Sequence, residues 1–156
     1  MGHEIEHKFL VHKEAWTPSA AGVLYRQGYL SSAKEGVVRI RIAGDEAFLT
    51  VKGLTTGVTR LEFEYPVPLA DAATMLDQLC MRPLIEKTRY REDFQGHCWE
   101  VDEFHGDNAG LLIAEIELDS ADERFALPPW ATANVSDDPR YFNSNLALNP
   151  YKNWKS

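Results

Sequence analysis

Charged side chains in this sequence recur two residues apart, mostly in pairs of like sign. The pairs are Glu4 and Glu6, Arg39 and Arg41, Glu62 and Glu64, Lys87 and Arg89, and Glu115 and Glu117. Residues two apart on a β-strand share a face, and like charges about 7 Å apart repel unless an opposite charge lies between them. Any single strand of this kind is also typical of a sheet with one wet face. Taken together, the pairs indicate a site for a charged ligand.

The types of these side chains define the chemistry of that site. Carboxylates are hard oxygen ligands of the kind that Mg²⁺ and Mn²⁺ prefer, and they are Glu4, Glu6, Glu62, Glu64, Asp102, Glu115 and Glu117. Ammonium and guanidinium groups donate to phosphate oxygens, and they are Lys8, Arg39, Arg41, Lys52, Arg60, Lys87 and Arg89. Triphosphate or a nucleotide triphosphate, with a bound divalent metal, would satisfy both sets.

The elements that must position these residues are mainly strands. Apolar residues recur with a period of two between turns that contain glycine or proline, which predicts strands at about 3–11, 24–31, 36–43, 46–53, 58–67, 85–94, 97–104 and 111–119. Eight strands can close into a barrel whose interior holds side chains and one small ligand. We therefore predict an α+β fold, an eight-stranded antiparallel β-barrel that forms a tunnel, with a few flanking helices.

Helices are predicted in three places. Ala72, Leu76 and Cys80 contribute to one apolar face of a helix over 69–81, as the helical period requires. Two shorter helices are predicted near 120–127 and 138–148. We expect these helices to cover or plug the barrel.

The composition narrows the class of protein. A length of 156 residues suits a single domain over 1–156, and a net charge of -8 with a pI near 5.1 argues against a nucleic-acid partner bound by broad phosphate neutralisation. No apolar run reaches the roughly 18 to 20 residues that span a bilayer, and the start of the chain lacks the features of a signal peptide. The two cysteines show no metal or redox spacing, so we expect a cytoplasmic protein. Because no apolar run could span a bilayer, we expect no membrane partner.

The same segments carry a resemblance to a known family. Glu4-Ile5-Glu6-His7-Lys8 matches the ExExK signature of the CYTH superfamily, the triphosphate tunnel metalloenzymes. Further segments follow in the order expected of its short bacterial members: Gln27-Gly28-Tyr29-Leu30, Arg39-Ile40-Arg41, Leu49-Thr50-Val51-Lys52, Arg60 with Glu62-Phe63-Glu64, Glu86-Lys87-Thr88-Arg89-Tyr90, Val101-Asp102 and Glu115-Ile116-Glu117-Leu118. ExExK alone is a weak pattern, whereas this ordered series covers nearly the whole chain.

The resemblance implies roles for the charged residues. The seven carboxylates named above would bind the metal, and the seven basic residues would bind phosphate. Lys8, Glu4 and Glu6 are the candidate catalytic residues, with Lys8 either orienting the water or binding phosphate. Tyr29 would contact the substrate at a tunnel mouth, or would pack. His7 replaces the arginine or lysine common at the centre of the motif, and its side chain should face away from the tunnel.

The family includes inorganic, thiamine and RNA triphosphatases and adenylate cyclases. We predict a metal-dependent hydrolase that cleaves the terminal phosphoanhydride of inorganic triphosphate, because the short chain shows no added segment for reading a base or a sugar. A class IV-type adenylate cyclase and a non-catalytic polyphosphate-binding module are the alternatives. The sequence leaves open whether the metal is Mg²⁺ or Mn²⁺ and whether the chain forms a homodimer.

Overall fold

The computed structural model describes residues 2–154, which form nine antiparallel strands and two α-helices. Single-turn 3₁₀ helices lie at Lys13–Ala15, Gly106–Asn108, Pro139–Tyr141 and Tyr151–Asn153. The strands are β1 (His3–Val11), β2 (Val23–Ser31), β3 (Val37–Ala43), β4 (Glu46–Lys52), β5 (Thr59–Pro66), β6 (Ile85–Phe94), β7 (His97–Phe104), β8 (Leu112–Glu117) and β9 (Ala131–Asn134), and the helices are α1 (Leu69–Gln78) and α2 (Asn143–Leu148).

Strand β1 closes the sheet into a barrel. Along one edge it pairs with β8, and along the other edge its first residues pair with β5. The strands from β1 to β8 therefore form a closed ring in the order β5-β4-β3-β2-β6-β7-β8-β1, while β9 pairs with the later part of β1. The prediction of an eight-stranded antiparallel barrel is confirmed.

Most predicted boundaries agree with the structure to within two residues, and the exceptions have local causes. Helix α1 ends at Gln78 rather than at 81, because the backbone N–H groups of Leu79 and Cys80 both donate to the Met75 carbonyl and break the helical pattern there. The helix predicted near 120–127 is wrong: this segment forms turns, and the Glu123 carboxylate accepts a hydrogen bond from the Asp119 backbone N–H at 2.6 Å. Strand β9 was not predicted, since it is only four residues long and three of them, Ala131, Ala133 and Asn134, are of types depleted in strands.

The inward face of the barrel is apolar at one end. Tyr29, Ile85, Phe104 and Ile113 form this layer, and Leu146 of α2 packs against it, fully buried. The prediction of a helix within 138–148 is confirmed by α2 together with the preceding 3₁₀ turn. Helix α2 thus covers one end of the barrel interior, and the rest of that interior is available to charged side chains.

Hydrophobic packing also covers the outer wall of the barrel. Ala72 and Leu76 of α1 pack against Ile40 and Ala47 on the outward faces of β3 and β4. A second outer cluster lies on β1, β7, β8 and β9, with Trp99 fully buried in it. These outer contacts supply apolar burial that the charged interior cannot provide. Within residues 2–154, neither helix has the length and apolar character that crossing a membrane requires.

Candidate functional site

The polar part of the barrel interior is a cavity of about 290 Å³. Because side chains alternate along each strand, every second residue of the barrel strands points into it. All the site residues predicted from the sequence lie on its wall except Asp102, which is buried behind the lining. The predicted residues on the wall are Glu4, Glu6, Lys8, Tyr29, Arg39, Arg41, Lys52, Arg60, Glu62, Glu64, Lys87, Arg89, Glu115 and Glu117.

One side of the cavity is acidic. In the pairing of β1 with β8, Glu6 lies directly opposite Glu117. Partial burial, and then the carboxylates of Glu4, Glu62 and Glu6, raise the pKa of Glu117 to about 7. Burial and the neighbouring carboxylates likewise raise the pKa of Glu6 above its ordinary value. The acidic wall thus carries more negative charge than its lysines neutralise.

Lys8 lies in the middle of this acidic wall. It donates hydrogen bonds to Glu115 at 2.5 Å and to Glu6 at 2.9 Å. Burial alone would lower the pKa of Lys8, but these two carboxylates outweigh burial and raise it. Lys8 therefore keeps its positive charge, which suits a role in binding an anion or holding a water rather than in accepting a proton.

The opposite side of the cavity is basic and rests on Asp102. Arg89 donates to both carboxylate oxygens of Asp102, at 2.7 and 2.8 Å, and Lys87 lies 2.7 Å from one of them. Burial alone would raise the pKa of Asp102, but Arg89 and Lys87 outweigh it and lower the pKa. Both oxygens of Asp102 are thus engaged by cations, and its role as a metal ligand stays a prediction.

Lys87 connects the basic wall to the closed end of the tunnel. Its amine donates a hydrogen bond to the side-chain oxygen of Asn143, the first residue of α2, at 3.0 Å. Complete burial, opposed by Asp102 but aided by Arg89 and Arg41, lowers the pKa of Lys87 to about 7. Lys87 thus lies where the charged part of the cavity meets its cover.

Three arginines complete the basic lining. Arg39 is held by the Thr50 hydroxyl at 3.1 Å and by Glu64 at 3.5 Å, and its buried Nε has no hydrogen-bond partner among the described residues. Arg41 donates from Nε to the side-chain oxygen of Gln27 at 2.9 Å. Arg60 donates from Nε to the Gly53 carbonyl at 3.2 Å. Arg39 and Arg41 therefore keep donors available to a ligand in the cavity.

The acidic wall has the donor chemistry that a divalent metal needs. Within residues 2–154, no three His, Cys, Asp or Glu side chains converge as a ready metal cluster, because Lys52 draws Glu4 to within 3.0 Å and Lys8 draws Glu115. Glu117, however, forms no salt bridge with any described residue, and partial burial and neighbouring carboxylates raise its pKa. Hard oxygen donors in excess of their cations suit Mg²⁺ or Mn²⁺, so the residues fit a bound metal.

Sequence reasoning missed several residues of the cavity wall. Tyr25 lines the cavity from the inward face of β2, and Glu100, which precedes Asp102 by two residues, lines it from β7. Gln27, on the same face as Tyr25, is fully buried behind the lining and supports Arg41. Strand alternation alone could have found these three. Asn143 could not be found in this way, because only the tertiary packing of α2 brings it to the cavity.

The structure also locates two residues whose positions were predicted or left open. His7 is absent from the cavity wall and lies 5.5 Å from Phe125, ring centroid to ring centroid, on the outside of the barrel. Tyr29 both lines the cavity and packs in the apolar layer at its closed end, and its hydroxyl accepts a hydrogen bond from Gln27 at 3.1 Å. The two alternatives for Tyr29 are therefore compatible.

Two proteins of known name are similar to this chain in sequence over nearly its full length. A protein from Acetivibrio thermocellus named inorganic triphosphatase is 53% identical over 155 residues, which are 99% of each chain. One from Nitrosomonas europaea with the same name is 36% identical, over 93% of this chain and 97% of that protein.

Solved structures agree with this comparison. The crystal structure of an inorganic triphosphatase superimposes with a TM-score of 0.66 at 34% identity, covering 93% of this chain and 94% of that chain. A structure from Bacillus halodurans, proposed to be an adenylate cyclase, has a TM-score of 0.64 at 18% identity, covering 78% of this chain and 84% of that chain, and supports the fold alone. The sequence model of the CYTH domain matches residues 2–142. The chain therefore belongs to the CYTH domain family.

Proposed function

We propose that this protein is an inorganic triphosphatase, which hydrolyses the terminal phosphoanhydride of inorganic triphosphate to phosphate and diphosphate. The observation that carries the proposal is the division of one cavity into an acidic and a basic wall. A compact polyanion with bound divalent metal satisfies both walls, whereas either component alone leaves one wall unneutralised. The name of the Acetivibrio thermocellus relative, at 53% identity over 99% of each chain, supports the same substrate.

The acidic wall is the proposed place for Mg²⁺ or Mn²⁺, with metal ligands drawn from the carboxylates on the wall: Glu4, Glu6, Glu62, Glu64, Glu115 and Glu117. A bound metal supplies neutralisation of phosphate oxygens and activation of a water molecule. Asp102 contributes by fixing Arg89 and Lys87 through its two oxygens.

The basic wall is the proposed place for the phosphate oxygens. Guanidinium groups of Arg39 and Arg41 can each donate to more than one oxygen, and together with the charge of Arg89 they neutralise charge on the diphosphate as it leaves. Lys8, held between Glu6 and Glu115, orients the attacking water or the terminal phosphate. Because Lys8 stays charged, it acts by position and not as a base.

A substrate panel tests the proposal. We expect phosphate release from tripolyphosphate with Mg²⁺ or Mn²⁺ to exceed release from ATP and from thiamine triphosphate. We expect Glu4→Gln and Lys8→Ala to lose turnover while the far-ultraviolet circular dichroism is preserved, whereas Glu35→Gln, on an exposed turn, serves as the matched charge control. Cyclic AMP formed from ATP would replace the proposal with a cyclase, and tight tripolyphosphate binding without turnover would replace it with a binding module.

We further propose that the chain over 1–156 acts as a single tunnel domain in the cytoplasm. Continuous strand pairing through one closed sheet and two free cysteines, Cys80 and Cys98, support this. Residues 1, 155 and 156 lie outside the described part of the chain. Light scattering on the purified protein measures whether the chain forms the homodimer that the sequence leaves open.

A further inference from the structure

Tyr25 places an aromatic ring beside two arginines of the basic wall. The central guanidinium carbon lies 4.8 Å from the ring centroid for Arg41 and 5.0 Å for Arg89. Strand register produces this arrangement: Tyr25 lies opposite Ala43 on β3 and opposite Lys87 on β6. Arg41 and Arg89 are therefore its diagonal neighbours on the inward face, within reach of a long side chain.

Of the two arginines beside the ring, Arg41 has the fewer other contacts, since Arg89 pairs with Glu100, Asp102 and Glu115. Among residues 2–154 Arg41 forms no ion pair, and the Gln27 side chain is its hydrogen-bond acceptor. Burial and the positive charges of Arg39 and Arg89 lower the pKa of Arg41 to about 10. Apart from the Gln27 side chain, the Tyr25 ring is therefore the main contact that can fix the orientation of the Arg41 guanidinium group.

We propose that Tyr25 is a positioning residue, whose ring holds the guanidinium group of Arg41, next to that of Arg89, in place for the oxygens of inorganic triphosphate. An aromatic face attracts cations through its quadrupole and carries no net charge. A carboxylate at the same position would fix the arginines but would also neutralise the charge that phosphate must meet. The inference rests on the proposed triphosphatase function.

Steady-state kinetics with tripolyphosphate and Mg²⁺ test the proposal. Because Tyr25→Leu removes the aromatic face that holds the Arg41 guanidinium, it should raise KM about tenfold, with a smaller change in kcat. Tyr25→Phe retains the ring and should bring KM back to within about twofold of the unaltered protein. Equal KM values for Tyr25→Leu and the unaltered protein would refute the proposal, and so would an equal defect in Tyr25→Phe and Tyr25→Leu.

A double-mutant cycle separates this role from a general effect on packing. Arg41→Lys keeps the charge but removes the planar group that stacks on a ring. Tyr25→Leu should therefore cost less in the Arg41→Lys background than alone, whereas an equal cost in both backgrounds would overturn the proposal. Tyr65→Leu on the outer surface, where the tyrosine is 56% exposed, is the matched control.

Folding and function are checked separately. Circular dichroism and urea unfolding report whether Tyr25→Leu is folded, and Tyr25→Met is a second apolar replacement that can fill the same space. If the unaltered protein does not hydrolyse tripolyphosphate, the proposed function fails. If it does, and the folded Leu or Met variant has the same KM, only the positioning role of Tyr25 fails.

Discussion

Asp102→Asn tests whether the buried carboxylate behind the basic wall stabilises Arg89 and Lys87 as an ion-pair partner or serves only as a metal ligand. The side chain of Asp102 is 1% exposed and accepts from Arg89 at 2.7 and 2.8 Å, with Lys87 2.7 Å away. Removing one member of a buried ion pair costs about 3 to 5 kcal/mol, because the partner charge stays buried. Since Arg89 keeps Glu100 and Glu115 at 3.2 Å each, we expect a loss near the lower limit, about 3 kcal/mol.

Urea unfolding of the metal-free, ligand-free protein measures this loss as a fall in the midpoint at unchanged slope. A carboxylate that served only as a metal ligand would, without metal, repel the other carboxylate ligands, so its removal should leave stability unchanged or raise it. A loss below about 1 kcal/mol would therefore refute the structural role of Asp102. Asp45→Asn, in an exposed turn, makes the same chemical change and should have no measurable effect.

Three shorter predictions address packing, charge and metal. Gly28→Ala should cost about 1 to 3 kcal/mol in urea unfolding, because its new methyl group would lie 2.8 Å from Cys80 Cβ; Gly36→Ala, with no atom within 4 Å, is the control. Because the pKa of Glu117 is raised, the folded state binds more protons than the unfolded state between pH 4.5 and about 7. The free energy of unfolding of the metal-free protein should therefore fall as the pH rises through this range, and Glu117→Gln should make this pH dependence weaker. Mg²⁺ or Mn²⁺ at a hundred times its dissociation constant should stabilise the protein by about 2.7 kcal/mol, seen as a higher melting temperature that Glu6→Gln reduces.

The barrel and its lining were predictable because both depend on a local rule. Alternation along β1 assigns Glu4, Glu6 and Lys8 to one face and His7 to the other without knowledge of the partner strands. The same rule applied to β2 assigns Tyr25 to the face of Tyr29. The predicted site residues were identified mainly by their charge. Tyr25 carries no charge, so it was not included although it lies on the same face.

The parts that were not predicted depend on contacts between distant segments. Asn143 reaches Lys87 because Leu146 docks on the apolar end of the barrel, and nothing in the local sequence around Asn143 specifies that partner. Strand β9 exists because the later part of β1 offers it a free edge. The segment near 120–127 has helical spacing, yet the hydrogen bonds of Glu123 to Asp119 and His97 favour turns there. Tertiary context outweighs local propensity in each case.

The positions of the charges along the tunnel bear on whether triphosphate enters with a bound metal or as the free anion. Glu117 is exposed at the open end, whereas Lys87 is fully buried beside α2 at the closed end. At the open end the carboxylates of Glu4, Glu62 and Glu117 outnumber the cations of Lys52 and Arg60. An entering polyanion therefore meets net negative charge, which costs energy unless a divalent cation accompanies it. Binding as a metal complex removes this barrier and leaves the metal near the acidic wall. The arrangement thus favours entry of the metal-bound triphosphate over entry of the free anion.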